Sequence, residues 1–183
     1  MTVDEFLDWA AEQPGRHELV NGEVVSMAPE RARHALIKAA VYTALNNAVK
    51  RAKLPCIVFP DGMTVKINDT TSYEPDAAVQ CAIKVKLNTV TLDAPIIVAE
   101  VASPSTKRTD ALFKLPDYFL VPSIQHYLII DPDKRLVVHF QRAEADKPDT
   151  RIVREGALRL DPPGLTLDFD ELLPELPGDD DED

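Results

Sequence analysis

Asp76, which follows Pro75, and Glu100, near the end of the run Pro95-Ile-Ile-Val-Ala-Glu-Val101, are carboxylates at the ends of neighbouring apolar segments, and Lys114 stands on the segment that follows. Two hard oxygen ligands beside a cation are what divalent-ion-assisted hydrolysis of a phosphodiester requires. A magnesium ion accepts one or two carboxylates together with water and phosphate oxygens. It lowers the pKa of a bound water and offsets the charge that develops on phosphate. If residues 76 and 100 converge at one end of a sheet, their carboxylates repel unless a proton or an ion sits between them. Glu100, inside an apolar run, should be buried, and buried carboxylates are paired or metal-bound. Asp76 has a plainer reading as well, because Pro-Asp is common turn chemistry.

The cation depends on how residues 109–120 fold. As a helix they set Asp110, Lys114 and Tyr118 four apart on one stripe, facing either the site or solvent, where an exposed Asp/Lys pair is the commoner outcome. Pro116, two residues beyond Lys114, should break or kink a helix interior at a cost of roughly 3 kcal/mol. The direction of Lys114 is therefore open.

The elements that would position these residues are legible along the chain. Thr2-Val-Asp-Glu5 has the form of a capping box and opens a short helix with Phe6, Trp9 and Ala10 at helical spacing, closed by Pro14-Gly15. Two short runs flank Asn21-Gly22, which signals a β-hairpin carrying Glu18. Residues 31–52 repeat Ile37, Val41 and Leu45 at helical intervals, and His34 begins that stripe. His34 fits a satisfied core histidine, with a place near the site mouth or on phosphate as the alternative. Strands are expected at 56–59, 63–67, 77–83 and 96–101, and at 125–130 and 136–140 around Asp131-Pro-Asp-Lys. Residues 151–154 and 157–160 suggest one more small hairpin, and 165–173 a strand leading into a helical turn. Alternating helices and strands give an α/β (α+β) chain with a mixed sheet. Ser103, Ser105 and Thr106 are most simply loop and cap residues.

Composition bounds the function. Net charge is −11, of which Asp179–Asp183 supply five negatives, leaving −6 for the body. That balance opposes non-specific nucleic-acid binding, which depends on phosphate neutralisation by Lys and Arg. Arg31/Arg33/Lys38, Lys50/Arg51/Lys53 and Lys107/Arg108 are local basic clusters that equally fit scattered solvated charges. Cys56 and Cys81 sit in apolar runs without a Cys-x-x-Cys pair and are expected as reduced, packed thiols. No apolar run approaches the roughly 20 residues of a membrane span, so a cytoplasmic chain with no membrane partner is expected. Acidic composition after Pro174 predicts disorder from about residue 178.

Taken in order, Glu18-Leu-Val-Asn-Gly-Glu23, the helix from His34, Pro75-Asp76, Glu100-Val-Ala-Ser-Pro-Ser-Thr106, Asp110 with Lys114 and Tyr118, Tyr127-Leu-Ile-Ile-Asp131-Pro132 and Gly164-Leu-Thr-Leu-Asp-Phe-Asp-Glu-Leu resemble the Uma family of restriction-endonuclease-like proteins. That bacterial family is a branch of the PD-(D/E)XK nuclease superfamily. The resemblance implies one restriction-endonuclease-like domain over 1–176, with a mixed sheet flanked by helices, an N-terminal β-hairpin extension and an acidic tail at 177–183. It implies DNA phosphodiester cleavage with magnesium or manganese. Asp76 and Glu100 would be metal ligands, the main-chain carbonyl of Val101 a further one, Lys114 the cation and Glu18 an added acid. His34, Ser103 and Asp110 would be accessory or substrate-binding positions. A homodimer would suit cutting of both strands. The superfamily's usual lysine, two residues after the glutamate, is Ala102 here. The nuclease reading leads; the missing lysine, Pro116 and the acidic body are the grounds for the alternative of a non-catalytic nucleic-acid- or protein-binding module, and hydrolysis of a small phosphate is a third class.

Overall fold

The computed structural model describes residues 1–82, 84–102, 108–143 and 147–177, with the backbone alone for 108–112. Three sheets and four helices organise them. The largest sheet runs β10(Asp149–Val153)–β9(Leu136–Gln141)–β8(His126–Asp131)–β7(Pro95–Val101)–β6(Ala77–Cys81)–β3(Cys56–Pro60). Only β7 and β8 pair in parallel, which makes the sheet mixed. A parallel pair needs a crossover, and α3(Arg108–Tyr118) supplies it. β7 and β8 are buried along almost their whole length, as strands covered on both faces must be.

One face of this sheet is covered by α2(Ala32–Ala52). Its stripe Ile37, Val41, Leu45 and Ala48 joins Val79, Ile97 and Ala99 in one apolar cluster. Val41 and Leu45 are fully buried, each stabilising by about 1.5–3 kcal/mol relative to exposure. The helix stops where Lys53 turns left-handed, at φ 52°. A small sheet of β11(Ala157–Leu160) and β12(Leu165–Asp168), followed by α4(Phe169–Leu172), extends the same core through Leu158, Leu165 and Phe169. On the opposite face Tyr118 of α3 packs with Val98, Tyr127 and Ile129.

A second, antiparallel sheet runs β2(Glu23–Ser26)–β1(His17–Val20)–β5(Ser72–Tyr73)–β4(Val65–Lys66). β1 and β2 form the expected hairpin across Asn21-Gly22, both at positive φ. α1(Val3–Ala10) carries the complete capping box of Thr2 and Glu5 and seals Leu19 with Val3 and Phe6.

Several expectations are corrected. Residues 151–154 and 157–160 do not pair with each other: β10 adds to the edge of the large sheet against β9, and β11 pairs with β12. Apolar alternation identifies strands but not their partners. The polar stretch before Tyr73 contains β5, a two-residue strand too short to signal itself. α3 runs through Pro116 to Tyr118 instead of stopping, so only one intrahelical bond, to the carbonyl of Leu112, is forfeited near its end. Cys56 and Cys81 are not free thiols but a disulfide, because β3 and β6 pair these two residues directly across the ladder. Among the described residues no helix is long and apolar enough to cross a membrane. The tail expected at 177–183 lies outside the described residues from 178 onward.

Candidate active site

The antiparallel register that sets Ala77 opposite Ala99 carries Asp76, just before β6, to the level of Glu100 on β7. Asp76 Oδ2 accepts a hydrogen bond from the Val101 amide at 2.7 Å, tying the carboxylate to the end of the neighbouring strand. Asp76 is 5% exposed and the Glu100 side chain 12%, both at the same end of the sheet. Neither needs sequence proximity; the ladder brings them together.

Lys114 lies on the face of α3 turned to this end. Its ammonium donates to Glu18 Oε1 at 2.8 Å and to Glu100 Oε1 at 3.1 Å. Tyr118, one turn further along, donates its hydroxyl to the same Glu100 oxygen at 2.7 Å. Glu18 also accepts the Glu74 amide at 2.9 Å, which fixes the hairpin against the loop before β6. The i, i+4 stripe thus faces the site at Lys114 and Tyr118; the side chain of Asp110 and all of Ser103 lie outside the described residues.

Burial dominates the electrostatics. It pushes the Glu100 carboxyl above the usual carboxylate range, with Lys114 opposing and Asp76 adding to the rise. Glu18 is raised by burial and by Glu100, again against the pull of Lys114. Lys114 itself is raised: burial lowers it, but Glu100 and Glu18 together outweigh that. Tyr118 is driven well above its ordinary value by burial and the nearby carboxylates, so its hydroxyl stays a donor. Two acids held partly against ionisation form a site short of positive charge.

His34, near the start of α2, donates Nε2–H to the Val101 carbonyl at 2.8 Å, with Asp76 Oδ2 at 3.9 Å. The oxygen expected as a main-chain ligand is thus already an acceptor, with a second lone pair remaining. One turn along α2 comes Lys38, expected only within a local basic cluster that equally fitted scattered solvated charges. Lys38 is 6% exposed and pairs with Asp76 Oδ1 at 3.2 Å, with Asp61 Oδ2 at 2.5 Å and with Glu30. Arg16 joins Glu30, Asp61 and Glu74 from the outer side. The signal was available: Lys38 is four residues past His34 and next to Ile37, on a stripe that faces the core, and a lysine there must be paired.

The donors that gather here, Asp76, Glu100, Glu18 and the Val101 carbonyl, are all hard oxygens, suited to magnesium or manganese rather than to softer ions. Among the described residues no three His, Cys, Asp or Glu side chains stand in chelating positions. An ion would take one or two carboxylates and fill its remaining positions with water, as magnesium commonly does.

A mixed sheet whose parallel pair brackets a crossover helix, with acids at one strand end and a lysine on that helix, defines a nuclease-like α+β fold. The chain matches the family Uma2, described as "Putative restriction endonuclease", over residues 3–174, and it belongs to that family. The crystal structure of a protein described as a putative nuclease belonging to DUF820, from Anabaena variabilis, superposes with a TM-score of 0.74 at 21% identity, covering 94% of this chain and 97% of that one. A protein from Synechocystis sp., described as "Uncharacterized protein slr1290", is 28% identical over 131 residues, 71% of this chain and 68% of that protein.

Proposed function

We propose that the protein is a divalent-metal-dependent endonuclease that hydrolyses DNA phosphodiester bonds, built as a single domain over 1–176. The observation that carries this reading is the reach of Lys114. Despite Pro116, its ammonium meets Glu100 and Glu18 at the strand end where Asp76 lies, instead of pointing to solvent.

Asp76 and Glu100 would hold magnesium or manganese, with the free lone pair of the Val101 carbonyl as a further donor. The ion, when bound, supplies a water of lowered pKa and offsets phosphate charge. Lys114 takes the place of the lysine missing at Ala102: its three N–H donors can hold Glu100 and turn one toward an attacking water or a phosphoryl oxygen. Tyr118 keeps Glu100 oriented by its hydroxyl. Glu18 anchors Lys114 and, if protonated, can pass a proton to the departing oxygen. His34 holds the end of β7 in place through the Val101 carbonyl. A homodimer in a bacterial cytoplasm would present two such sites to the two strands of a duplex.

One observation favours the alternative of a non-catalytic binding module: ammonium groups already engage the oxygens of Asp76, Glu18 and Glu100. The two readings separate on incubation of the purified protein with supercoiled plasmid and with single-stranded DNA in magnesium or manganese, beside Asp76→Ala and Glu100→Ala. Nicking by the wild type that both substitutions abolish is the expected result. Equal nicking by all three, or none by any, would leave the binding module ahead.

A further inference from the structure

We infer that Lys38 is a resident counter-cation of Asp76, which a divalent ion must displace, and that Lys38 thereby sets the affinity of the site for that ion. The inference rests on the metal-dependent reading above.

Asp76 has two oxygens, and both are engaged. Oδ2 accepts the Val101 amide at 2.7 Å. Oδ1 faces the Lys38 ammonium at 3.2 Å. Each oxygen keeps a lone pair for a hard ion, and an ion on either one shares the carboxylate with the Lys38 ammonium, most closely on Oδ1, which has no backbone partner. Two cations cannot occupy one side of a buried carboxylate oxygen without strong mutual repulsion, because little water is present to screen it. Lys38 must therefore move away when the ion binds.

The surroundings give it somewhere to go. Lys38 has a flexible four-carbon stem, and its other partners, Asp61 and Glu30, have side chains about one-third exposed, at 33% and 30%. A cleft of about 290 Å³, lined by Glu30, Lys38, Tyr42, Pro60, Asp61 and Asp76, opens over this cluster. The ammonium can follow Asp61 and Glu30 outward into the cleft while Asp76 stays fixed by Val101. Arg16 holds the same two acids from outside, at 2.7 Å to Asp61 and 3.2 Å to Glu30, so they remain as a landing place for the displaced ammonium. Lys114 does not play this part, since it sits on Glu18 and Glu100 and has no bond to Asp76.

The test is titration of the metal-free protein with Mn²⁺, followed by calorimetry or by the loss of the free-ion electron paramagnetic resonance signal. Lys38→Gln should bind Mn²⁺ at least about tenfold more tightly than the wild type. Lys38→Arg, which keeps the charge, should stay near the wild type. In an Asp76→Asn background the gain should vanish. If Lys38→Gln folds poorly, Lys38→Met and the Mn²⁺-induced rise in Tm give the same comparison, the rise being larger in the variant. A purely structural lysine would lower Tm without ion and leave affinity unchanged. Folded variants that bind Mn²⁺ no tighter than a wild type that does bind it would overturn the role of Lys38 alone. Absence of binding in wild type and variants would bring down the metal reading and this inference together.

Discussion

Lys114 on α3 and Glu18 on β1, separated by 96 positions in the chain, meet through a hydrogen bond of 2.8 Å. The bond joins the early hairpin to the crossover helix, and Glu100 completes the triad from β7 at 3.1 Å. Lys114→Met should therefore destabilise by about 3–5 kcal/mol, since it leaves two carboxylates together with no cation between them. Both already have raised pKa values, and removing Lys114 removes the opposing influence. An acid whose folded pKa is raised loses stability as pH rises from its unfolded value, near 4.5, through the folded one. The deficit of Lys114→Met should accordingly be larger at pH 8 than at pH 5 in urea unfolding. A deficit independent of pH would refute this account of the triad.

Asp76 serves two partners, and substitutions can separate them. Asn keeps an oxygen for the Val101 amide but loses the charge that faces Lys38. Ala also leaves that buried amide without an acceptor, at a cost of about 1–3 kcal/mol. Asp76→Asn should be more stable than Asp76→Ala by about that amount, while both lose DNA nicking. Equal stability of the two variants in chemical denaturation would show that the Val101 bond contributes nothing.

Much of this arrangement was legible in the sequence, and the missing parts share one cause. The capping box at Thr2, the Asn21-Gly22 hairpin, the long helix and the apolar strands around Glu100 are local signals, and each appears at or near its expected place. Pairing is not local. Nothing in residues 149–160 says that β10 joins β9 while β11 awaits β12, and nothing near Cys56 says that Cys81 lies directly across from it. Lys38 was hidden for a related reason: its position on an inward stripe is local, but Asp61 and Asp76, which make burial tolerable, come from a strand end and a loop more than 20 residues away. Pro116 misled in the other direction, since tertiary contacts of Tyr118 with Glu100 and Tyr73 hold the last turn of α3 despite the lost backbone bond.

The Cys56–Cys81 bridge closes a loop with a sequence separation of 25, which contains β4, β5 and Asp76. Constraint of a loop of that length in the unfolded chain stabilises by roughly 3 kcal/mol. Unfolding without reductant should reveal no reactive thiols, and the Cys56→Ser, Cys81→Ser double variant should unfold at lower urea. Two titratable thiols in the unreduced protein would sink this prediction.

His126 and His139 give the protein an acid-sensitive point far from the carboxylates in sequence. Both are fully buried. His126 Nε2 donates to the Pro162 carbonyl at 2.7 Å, which leaves its Nδ1 to accept from His139 Nε2–H at 2.9 Å. His139 Nδ1 is then a bare acceptor with no hydrogen-bond partner. A proton added there would bury a charge and an unsatisfied N–H. Burial pushes His139 down to about 4, helped by the neighbouring His126 and Arg151, and lowers His126 as well. The unfolded chain takes up these protons below about pH 6.5 while the folded one resists, so the stability they contribute is full above that pH. It should decline by about 2 kcal/mol or more as pH falls from 6.5 to 4. The raised acids Glu18 and Glu100 act in the opposite sense, so the comparison must be between wild type and His139→Gln across the same pH series. The variant should show a shallower loss on acidification, with its stability approaching that of the wild type near pH 4. Parallel stability curves for the two proteins would mean that this pair carries no pH dependence.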